Sequence, residues 1–387
     1  MTQLENSYLL LALCARAQGH PTQYQYLRQQ AANQTDWNTL PAQAEAHGLT
    51  PLLYTHLQSA GVAIPTAVQQ QLQVRAIQHN HANQVRAKAL AEALVVFETA
   101  GIDVLVLKGA ALAHLVYPQP GLRPMRDVDV LVSRSQADQA QTLLAELGFT
   151  VTGDKLPPGH KHLPVTQRKG EGLPVSVEVH HNLYSRGTPA TELAALRLAA
   201  IPFTLAGIRA YTLSYEDLLE HIYLHMLEGG IFSSWRLIWI ADLVSLAERF
   251  AAEIDWSRVN PRVRNALALC HWLTPLSADL LRAAALSPGR PPSGIGQEFQ
   301  GWPRFSLAAQ RHKGYGRILH DSFFPGEWWL RFYYGLPAGP STKLRPDPVF
   351  WWRRWLRHPL HILGWVGRYL WTGPSTVNRR RFSLDMF

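Results

Sequence analysis

Cysteine is nearly absent from this chain. Its 387 residues include only Cys14 and Cys270, too few for a disulfide framework or for a cysteine-based zinc site. Long apolar runs are also lacking, and no stretch reaches about 18 uninterrupted apolar residues, which excludes a conventional membrane-spanning helix. Residues 1–7 are polar and do not resemble the start of a secretory leader. These absences lead us to expect a cytoplasmic protein.

Acidic residues are scarce at the C-terminal end. The formal charge at pH 7 is +9, and the segment from Val349 to Phe387 contains seven arginines but a single acid, Asp385. About two thirds of the excess positive charge therefore lies in the last tenth of the sequence. A basic tail of this kind favours an anionic partner surface over a protein that binds nucleic acid along its whole length.

The apolar pattern changes its period near residue 100. Leucine and alanine at helical spacing predict helices through residues 1–98, and Thr50 is expected to cap a helix with Pro51 in its first turn. After Gly101, the β-branched run Ile102–Leu107 predicts a strand. The chain therefore passes from an all-helical region into a region with a sheet.

The segment Pro174–His180 alternates strictly between valine and other, mainly polar, residues. This pattern predicts a strand with valines on one face and polar residues on the other. The remaining pattern predicts a helix over 110–117, strands over 128–132 and 149–152, a helix over 135–148, an exposed loop over 154–172, and helices over 214–228, 235–250 and 260–285. We therefore divide the chain into a helical region (1–98), an α/β core (99–210), a helical domain that closes the site (211–288), and a linker with a basic, tryptophan-rich region (289–387).

Three carboxylates lie on the predicted strands of the core. Asp127 and Asp129 are two residues apart on one strand, so their side chains project from one face about 7 Å apart. Glu178 lies among valines, where an uncompensated carboxylate is costly. Together they can hold one or two Mg²⁺ ions. The structural alternative is that Asp127 and Glu178 are strand-end residues paired with arginines.

A lysine-glycine turn, Lys108-Gly109, follows the first predicted strand. Glycine lets a phosphate approach the backbone closely, and Lys108 is able to contact that phosphate directly. Arg123 and Arg126 precede the aspartate pair. Each arginine suits either a polyphosphate or a salt bridge to the neighbouring aspartates, and both interpretations stay open.

The order of strand, glycine turn, helix, D-x-D strand and acidic strand resembles the nucleotidyltransferase fold of the DNA polymerase β superfamily. The fuller pattern resembles the bacterial family of uncharacterised nucleotidyltransferases over roughly residues 35–260. The resemblance implies an α+β fold, with a small mixed β-sheet core flanked by N-terminal and C-terminal helical regions. The matching segments are Leu107-Lys-Gly-Ala-Ala-Leu112, Arg126-Asp-Val-Asp-Val-Leu-Val132 and Val177-Glu-Val-His180.

The same resemblance implies a metal-dependent transferase. It would use Mg²⁺ or Mn²⁺ to move a nucleoside monophosphate from an NTP such as ATP to a hydroxyl or phosphate acceptor, which is a small molecule, a protein or RNA. The catalytic metal ligands would be Asp127, Asp129 and Glu178, and the residues at the nucleotide phosphates would be Lys108, Gly109, Arg123 and Arg126.

One position departs from the superfamily pattern. The turn usually carries a serine whose hydroxyl meets the phosphate, whereas this chain has Ala110. Ala110 favours an alternative function, a catalytically weak or inactive nucleotide-binding scaffold. Such a scaffold would lie at the inner face of the membrane and serve a pathway for surface polysaccharide or a peptide natural product. The intact pair Asp127 and Asp129 favours turnover.

Four further residues are expected to line the substrate. His180 points the same way as Glu178 on its strand, and His225 shares a helix face with His221. Arg236 and Asp242 are six residues apart on one predicted helix and thus on different faces. The resemblance implies that this helix closes the site and that Asp242 anchors a loop, and a buried structural ion pair is the alternative. The four residues are His180, His225, Arg236 and Asp242.

Other histidines receive structural interpretations. His181 falls on the apolar side of its strand, so we expect it to pack there. His160 and His162 lie in the predicted loop and are expected to be solvated.

The tryptophan-rich end allows three interpretations. Residues 350–357 and 360–371 combine five tryptophans with arginines, a composition suited to an anionic membrane interface. Arginine and aromatic stacking also suits RNA. The third interpretation is a tail whose tryptophans are buried against the core. All three stay open, with residues 349–387 as the expected membrane-binding region.

Overall fold

The N-terminal region is helical, as predicted. The computed structural model describes residues 3–152, 156, 160–184, 192–229, 236–293, 295, 320, 322–339 and 347–372. Among these residues, five helices precede the sheet. They are α1 (Gln3–Leu13), α2 (Pro21–Ala32), α3 (Leu40–His47), α4 (Thr50–Ser59) and α5 (Thr66–Thr99).

Prolines mark the starts of three of these helices. A proline lies in the first turn of α2, α3 and α4, where its missing N–H sacrifices no helical hydrogen bond. The predicted capping role of Thr50 is wrong, because Leu49 precedes α4 and forms no side-chain cap. The Thr50 hydroxyl instead donates to Glu45 Oε2 at 2.9 Å, which ties the start of α4 to α3.

A five-stranded mixed sheet forms the centre of the α/β region. Its spatial order is β1-β2-β5-β4-β3; β2 pairs with β5 in parallel, and the other neighbours are antiparallel. The strands are β1 (Leu105–Leu107), β2 (Val128–Leu131), β3 (Thr150–Val151), β4 (Thr166–Gly170) and β5 (Leu173–His180). The predicted strands are all present, and the first is shorter than expected.

Alternation along β2 and β5 separates two faces of this sheet. Val128, Val130 and the valines of β5 pack with α5 and with α7 (Ala137–Glu146) in one apolar cluster. Leu107 and Leu131 pack on the opposite face. They belong to the larger apolar cluster, which contains residues of the helices that precede and follow the sheet in the sequence. Because side chains alternate in a strand, Asp129 and Glu178 project toward this second face. The site therefore lies between the sheet and the helical regions.

Two tight hairpins were not predicted. The expected exposed loop over 154–172 is partly wrong, because Thr166–Gly170 forms β4 and turns into β5 through Glu171 and Gly172, both with positive φ. A second hairpin consists of β6 (Ile201–Leu205) and β7 (Ile208–Thr212), joined by Ala206 and Gly207, again with positive φ. Two-residue turns with this geometry match the twist of antiparallel strands.

The remaining described elements are helical. Helix α6 (Lys108–Leu115) follows β1 directly, and a 3₁₀ turn (Pro120–Leu122) leads toward β2. The single helix predicted over 260–285 is wrong, because it is split into two helices around Pro275. The later elements are α8 (Leu193–Leu198), α9 (Tyr215–Gly229), α10 (Leu237–Arg249), α11 (Pro261–Cys270), α12 (Ala278–Ala283), α13 (Glu327–Tyr334), α14 (Pro348–Trp352), a π-helical turn (Arg353–Arg357) and α15 (His358–Thr372).

Among the described residues, no helix combines the length and apolarity that a bilayer span requires. Trp235, Arg379–Arg381 and much of the predicted linker lie outside the described residues.

Candidate active site

A row of three residues crosses the sheet at the site. Leu107 in β1 lies opposite Asp129 in β2, and Asp129 lies opposite Glu178 in β5. Lys108 follows Leu107 at once and begins α6 with a φ of 46°. Few residues other than glycine adopt this left-handed conformation. It turns the chain from strand to helix within one residue and brings the lysine beside the two acids.

Three side chains form a group that suits a cation. One ligand atom each from Asp129, Glu178 and His180 lies within 4.8 Å of the other two. His180 Nε2 is 2.9 Å from Asp129 Oδ1 and 3.3 Å from Glu178 Oε2. Two carboxylates and an imidazole are ligands that divalent ions such as Mn²⁺ accept, and the carboxylates also suit Mg²⁺. The donor set therefore fits the metal that the family resemblance implies.

A lysine ammonium balances the charge of this group. Lys108 Nζ donates to Asp129 Oδ1 at 2.8 Å, and the lysine side chain is only 13% exposed. Burial by itself would lower the pKa of Lys108, but the neighbouring carboxylates, Asp129 first, raise it overall. Burial would likewise raise the pKa of Asp129, whereas Lys108 and His180 hold it well below the ordinary range. Both groups are therefore charged at neutral pH.

The acids differ in their surroundings. Burial would raise the pKa of Glu178, yet its hydrogen bond with His180 lowers it overall. Asp127 precedes β2, is exposed, and lies outside the close group of three. Partial desolvation and repulsion from Asp129 and Glu178 raise the pKa of Asp127. Asp127 is thus near enough to interact electrically with the pair without sharing their hydrogen bonds.

Arg123 and Asp242 meet beside the glycine turn. Arg123 Nε and Nη2 donate to the two oxygens of Asp242 at 3.1 and 2.7 Å, and the Tyr117 hydroxyl donates to the same carboxylate at 2.8 Å. A Cβ on Gly109 would lie 2.2 Å from Arg123 Nη1. Glycine is therefore required here to admit the guanidinium. Asp242 therefore forms a buried ion pair, as its structural alternative expected, and its partner is Arg123.

Further arginines surround the acids. Burial lowers the pKa of Arg236 to about 10, and the nearby positive charges of Arg126 and Arg123 add to this effect. Arg126 is exposed. Arg86 on α5 was not identified from sequence; burial lowers its pKa, and Asp127 opposes that shift. Only the tertiary fold brings α5 to the aspartates, so no local pattern could have indicated Arg86.

Several histidines gather near the site. The expectation that His162 is solvated is wrong: its Nε2 lies 3.6 Å from Glu178 Oε2, and its ring is 5.0 Å from that of His180. The expected apolar packing of His181 is also wrong, because it is half-buried and contacts Arg134. Burial, followed by the positive charges of Lys108 and Lys161, lowers the pKa of His225 far below its ordinary value.

These features define the class of protein. A small mixed sheet with an aspartate and a glutamate on adjacent strands, next to a lysine-glycine turn, is a nucleotidyltransferase-like core. The chain belongs to the family described as uncharacterised nucleotidyltransferase, whose family model matches residues 33–279.

Among solved structures, the chain is similar to an antigenic nucleotidyltransferase-like protein from Paracoccidioides brasiliensis. The two are 18% identical with a TM-score of 0.33, over 51% of this chain and 92% of that chain. No protein with a curated functional description matches the chain.

Proposed function

We propose that the protein transfers a nucleoside monophosphate from an NTP to a hydroxyl or phosphate acceptor, with release of pyrophosphate and with Mg²⁺ or Mn²⁺ as cofactor. The observation that carries this proposal is the group of Asp129, Glu178 and His180 on adjacent parallel strands in a chain of the nucleotidyltransferase family.

The residues of the site divide the work. Asp129 and Glu178 would hold the ion and His180 would be a third ligand, while Asp127, outside this group, would act on the ion through its charge. A bound divalent ion neutralises a triphosphate and lowers the pKa of an attacking hydroxyl. Asp129 also holds the Lys108 ammonium, which places a positive charge where the transferred phosphate must lie.

Three arginines add positive charge near the site in this proposal. Arg126 is exposed next to Asp127, where its guanidinium group can bind the outer phosphates of the nucleotide. Arg123 forms an ion pair with Asp242. It would therefore attract a phosphate mainly through the positive potential that it adds beside Gly109. Arg236 contributes to the same field.

A nucleotide-binding scaffold without turnover is the second candidate. It is favoured by Ala110, which is buried and provides no hydroxyl at the turn, and by the Lys108–Asp129 ion pair, which competes with a metal for the same carboxylate. The scaffold and the enzyme are both expected to bind ATP with Mn²⁺, and only the enzyme transfers the nucleotidyl group.

Transfer of a labelled nucleotidyl group distinguishes the enzyme from the scaffold. The protein is incubated with each α-labelled NTP and Mg²⁺ or Mn²⁺, and label is followed into protein, RNA and a low-molecular-weight cell extract. We expect one NTP to label one acceptor pool, with at least about 100-fold less product from Asp129→Asn or Glu178→Gln. Asp103→Asn, an exposed acid away from the site, is the matched control.

Two results would speak against the enzyme. Binding of ATP and Mn²⁺ without transfer to any pool would leave only the scaffold. Equal product from Asp129→Asn and the wild type would show that the acidic group does not carry the chemistry.

A further inference from the structure

A stripe of exposed apolar side chains runs along the continuous helical segment formed by α14, the π-helical turn and the start of α15. The structure exposes thirteen large apolar residues within the part of the chain that it describes, and six of them lie between positions 351 and 363. Their exposure ranges from 45% to 61%. Scattered apolar residues are ordinary on protein surfaces, whereas a contiguous patch marks a binding surface. We call these residues the apolar stripe: Trp351, Trp352, Trp355, Leu356, Leu360 and Leu363.

Two buried residues anchor the helical segment that carries the stripe. His358 and Ile362, one turn apart, are almost completely buried. His358 Nδ1 lies 3.0 Å from the Tyr334 hydroxyl, and His358 Nε2 lies 2.9 Å from the carbonyl oxygen of Ser322. Trp351, Trp352 and Trp355 are 61%, 45% and 50% exposed close to these buried residues, so the anchored segment leaves their rings at the surface. The tryptophans at 351, 352 and 355 are therefore not the buried tryptophans of a docked tail.

Arginines flank the stripe and acids are missing from it. The guanidinium of Arg357 lies 5.8 Å from the Trp352 ring centre, and that of Arg354 lies 5.6 Å from the Trp355 ring centre. Residues 348–372 contain four arginines and no aspartate or glutamate. A tryptophan and leucine face bordered by arginines matches the interface of an anionic bilayer, where rings enter the headgroup layer and guanidinium groups meet lipid phosphates.

Two other occupants fit less well. Single-stranded RNA stacks on flat rings, which leaves Leu356, Leu360 and Leu363 without a role. A second copy in a symmetric pair would bring the arginines of one stripe against those of the other, which is unfavourable. The charge and the aliphatic content together favour lipid.

We propose that the apolar stripe binds the surface of an anionic membrane, with the helix lying in the plane of the interface. This attachment is independent of whether the site on the sheet transfers a nucleotide. It holds the protein at the bilayer through one face of a helix that does not span it.

The test uses the full chain with phosphatidylcholine vesicles and with vesicles that also contain phosphatidylglycerol. We expect cosedimentation with the anionic vesicles only, a shift of tryptophan emission to shorter wavelength, and weaker binding at high salt. The variant Trp352→Ser/Leu356→Ser/Leu360→Ser should bind at least 10-fold more weakly. The control variant, Val74→Ser/Ile77→Ser, changes exposed apolar residues of α5 and should bind like the wild type.

Circular dichroism and thermal unfolding of both variants are expected to show a retained fold, because every changed side chain is exposed. Failure of the wild type to bind anionic vesicles would overturn the proposal, as would equal binding by the stripe variant. Dimerisation that the stripe variant abolishes, or binding of single-stranded RNA in place of vesicles, would assign the surface to a different partner and would also overturn it.

Discussion

Arg123 and Asp242 are 119 residues apart in sequence and form a two-point ion pair. Arg123 lies in the segment that enters β2, and Asp242 lies within α10. The pair therefore links the edge of the acidic site to the helical region that follows the sheet. Asp242 is 3% exposed and Arg123 is 11% exposed, so water cannot replace either partner.

Replacing Asp242 with asparagine is expected to destabilise the protein. The buried guanidinium of Arg123 would lose its compensating charge, at a cost of about 3 kcal/mol in the free energy of unfolding. Asp279→Asn is the control, because its pair with Arg282 is about 80% exposed and contributes less than about 1 kcal/mol. Urea denaturation measures both. An equal loss of unfolding free energy in the two variants would show that the buried Arg123–Asp242 pair stabilises the protein no more than an exposed pair does.

Gly109→Ala tests the space beside Arg123. The new Cβ would overlap Arg123 Nη1, and overpacking of this kind costs about 1–3 kcal/mol. Gly364→Ala in α15 meets open space and should be neutral or stabilising by about 0.5–1 kcal/mol, because alanine favours helices. Thermal unfolding compares the two, and an unchanged melting temperature for Gly109→Ala would contradict the contact.

Lys108→Met should strengthen the binding of the metal ion and weaken the binding of the nucleotide. Without the ammonium, Asp129 loses its competing cation, and we expect Mn²⁺ to bind about 10-fold more tightly, or about 1.4 kcal/mol. ATP binding should weaken, because a phosphate contact is removed. Calorimetric titrations with Mn²⁺ alone and with ATP measure the two effects. Lys88→Met removes an exposed lysine and should change neither. Weaker Mn²⁺ binding by Lys108→Met would contradict the competition.

His56 is expected to make stability depend on pH. Burial lowers its pKa from 6.5 to about 4, and its Nε2 lies 2.8 Å from the carbonyl oxygen of Arg16. The unfolded chain takes up the proton near pH 6.5 while the folded chain resists it. The stability present above pH 6.5 is therefore lost as the pH falls toward 4, by about 2 kcal/mol at pH 5.

The His56→Gln variant checks this expectation in denaturation experiments at pH 7.5 and pH 5. It should lose less stability between these values than the wild type does. His81→Gln alters an exposed histidine and should keep the pH dependence of the wild type. The same pH dependence in all three proteins would show that His56 is not responsible.

Local patterns predicted the centre of the fold well. The valine alternation of β5 and the short apolar run of β2 placed Asp129 and Glu178 on one face of the sheet. This prediction holds because the direction of a side chain in a strand depends only on its position along the strand. The polar composition of Thr166–Gly170 hid β4, since its residues show no apolar alternation. The β6–β7 hairpin carried a usable signal, the Ala206-Gly207 turn between two short strands.

The site was predicted in part for the same reason. Lys108, Asp129 and Glu178 lie on or directly after strands, so their closeness follows once those strands pair. His162 was missed as a neighbour of Glu178 because loop composition does not show where a loop returns to the sheet.

The sequence by itself determined where the charged residues lie along the chain and that Asp129 and Glu178 share one face of their strands, since periodicity depends only on neighbouring residues. Tertiary structure alone decided that Asp242 pairs with Arg123, that Gly109 makes room for this pair, and that Trp351, Trp352 and Trp355 are exposed. These outcomes depend on contacts between distant segments, where packing selects one partner among several of suitable charge.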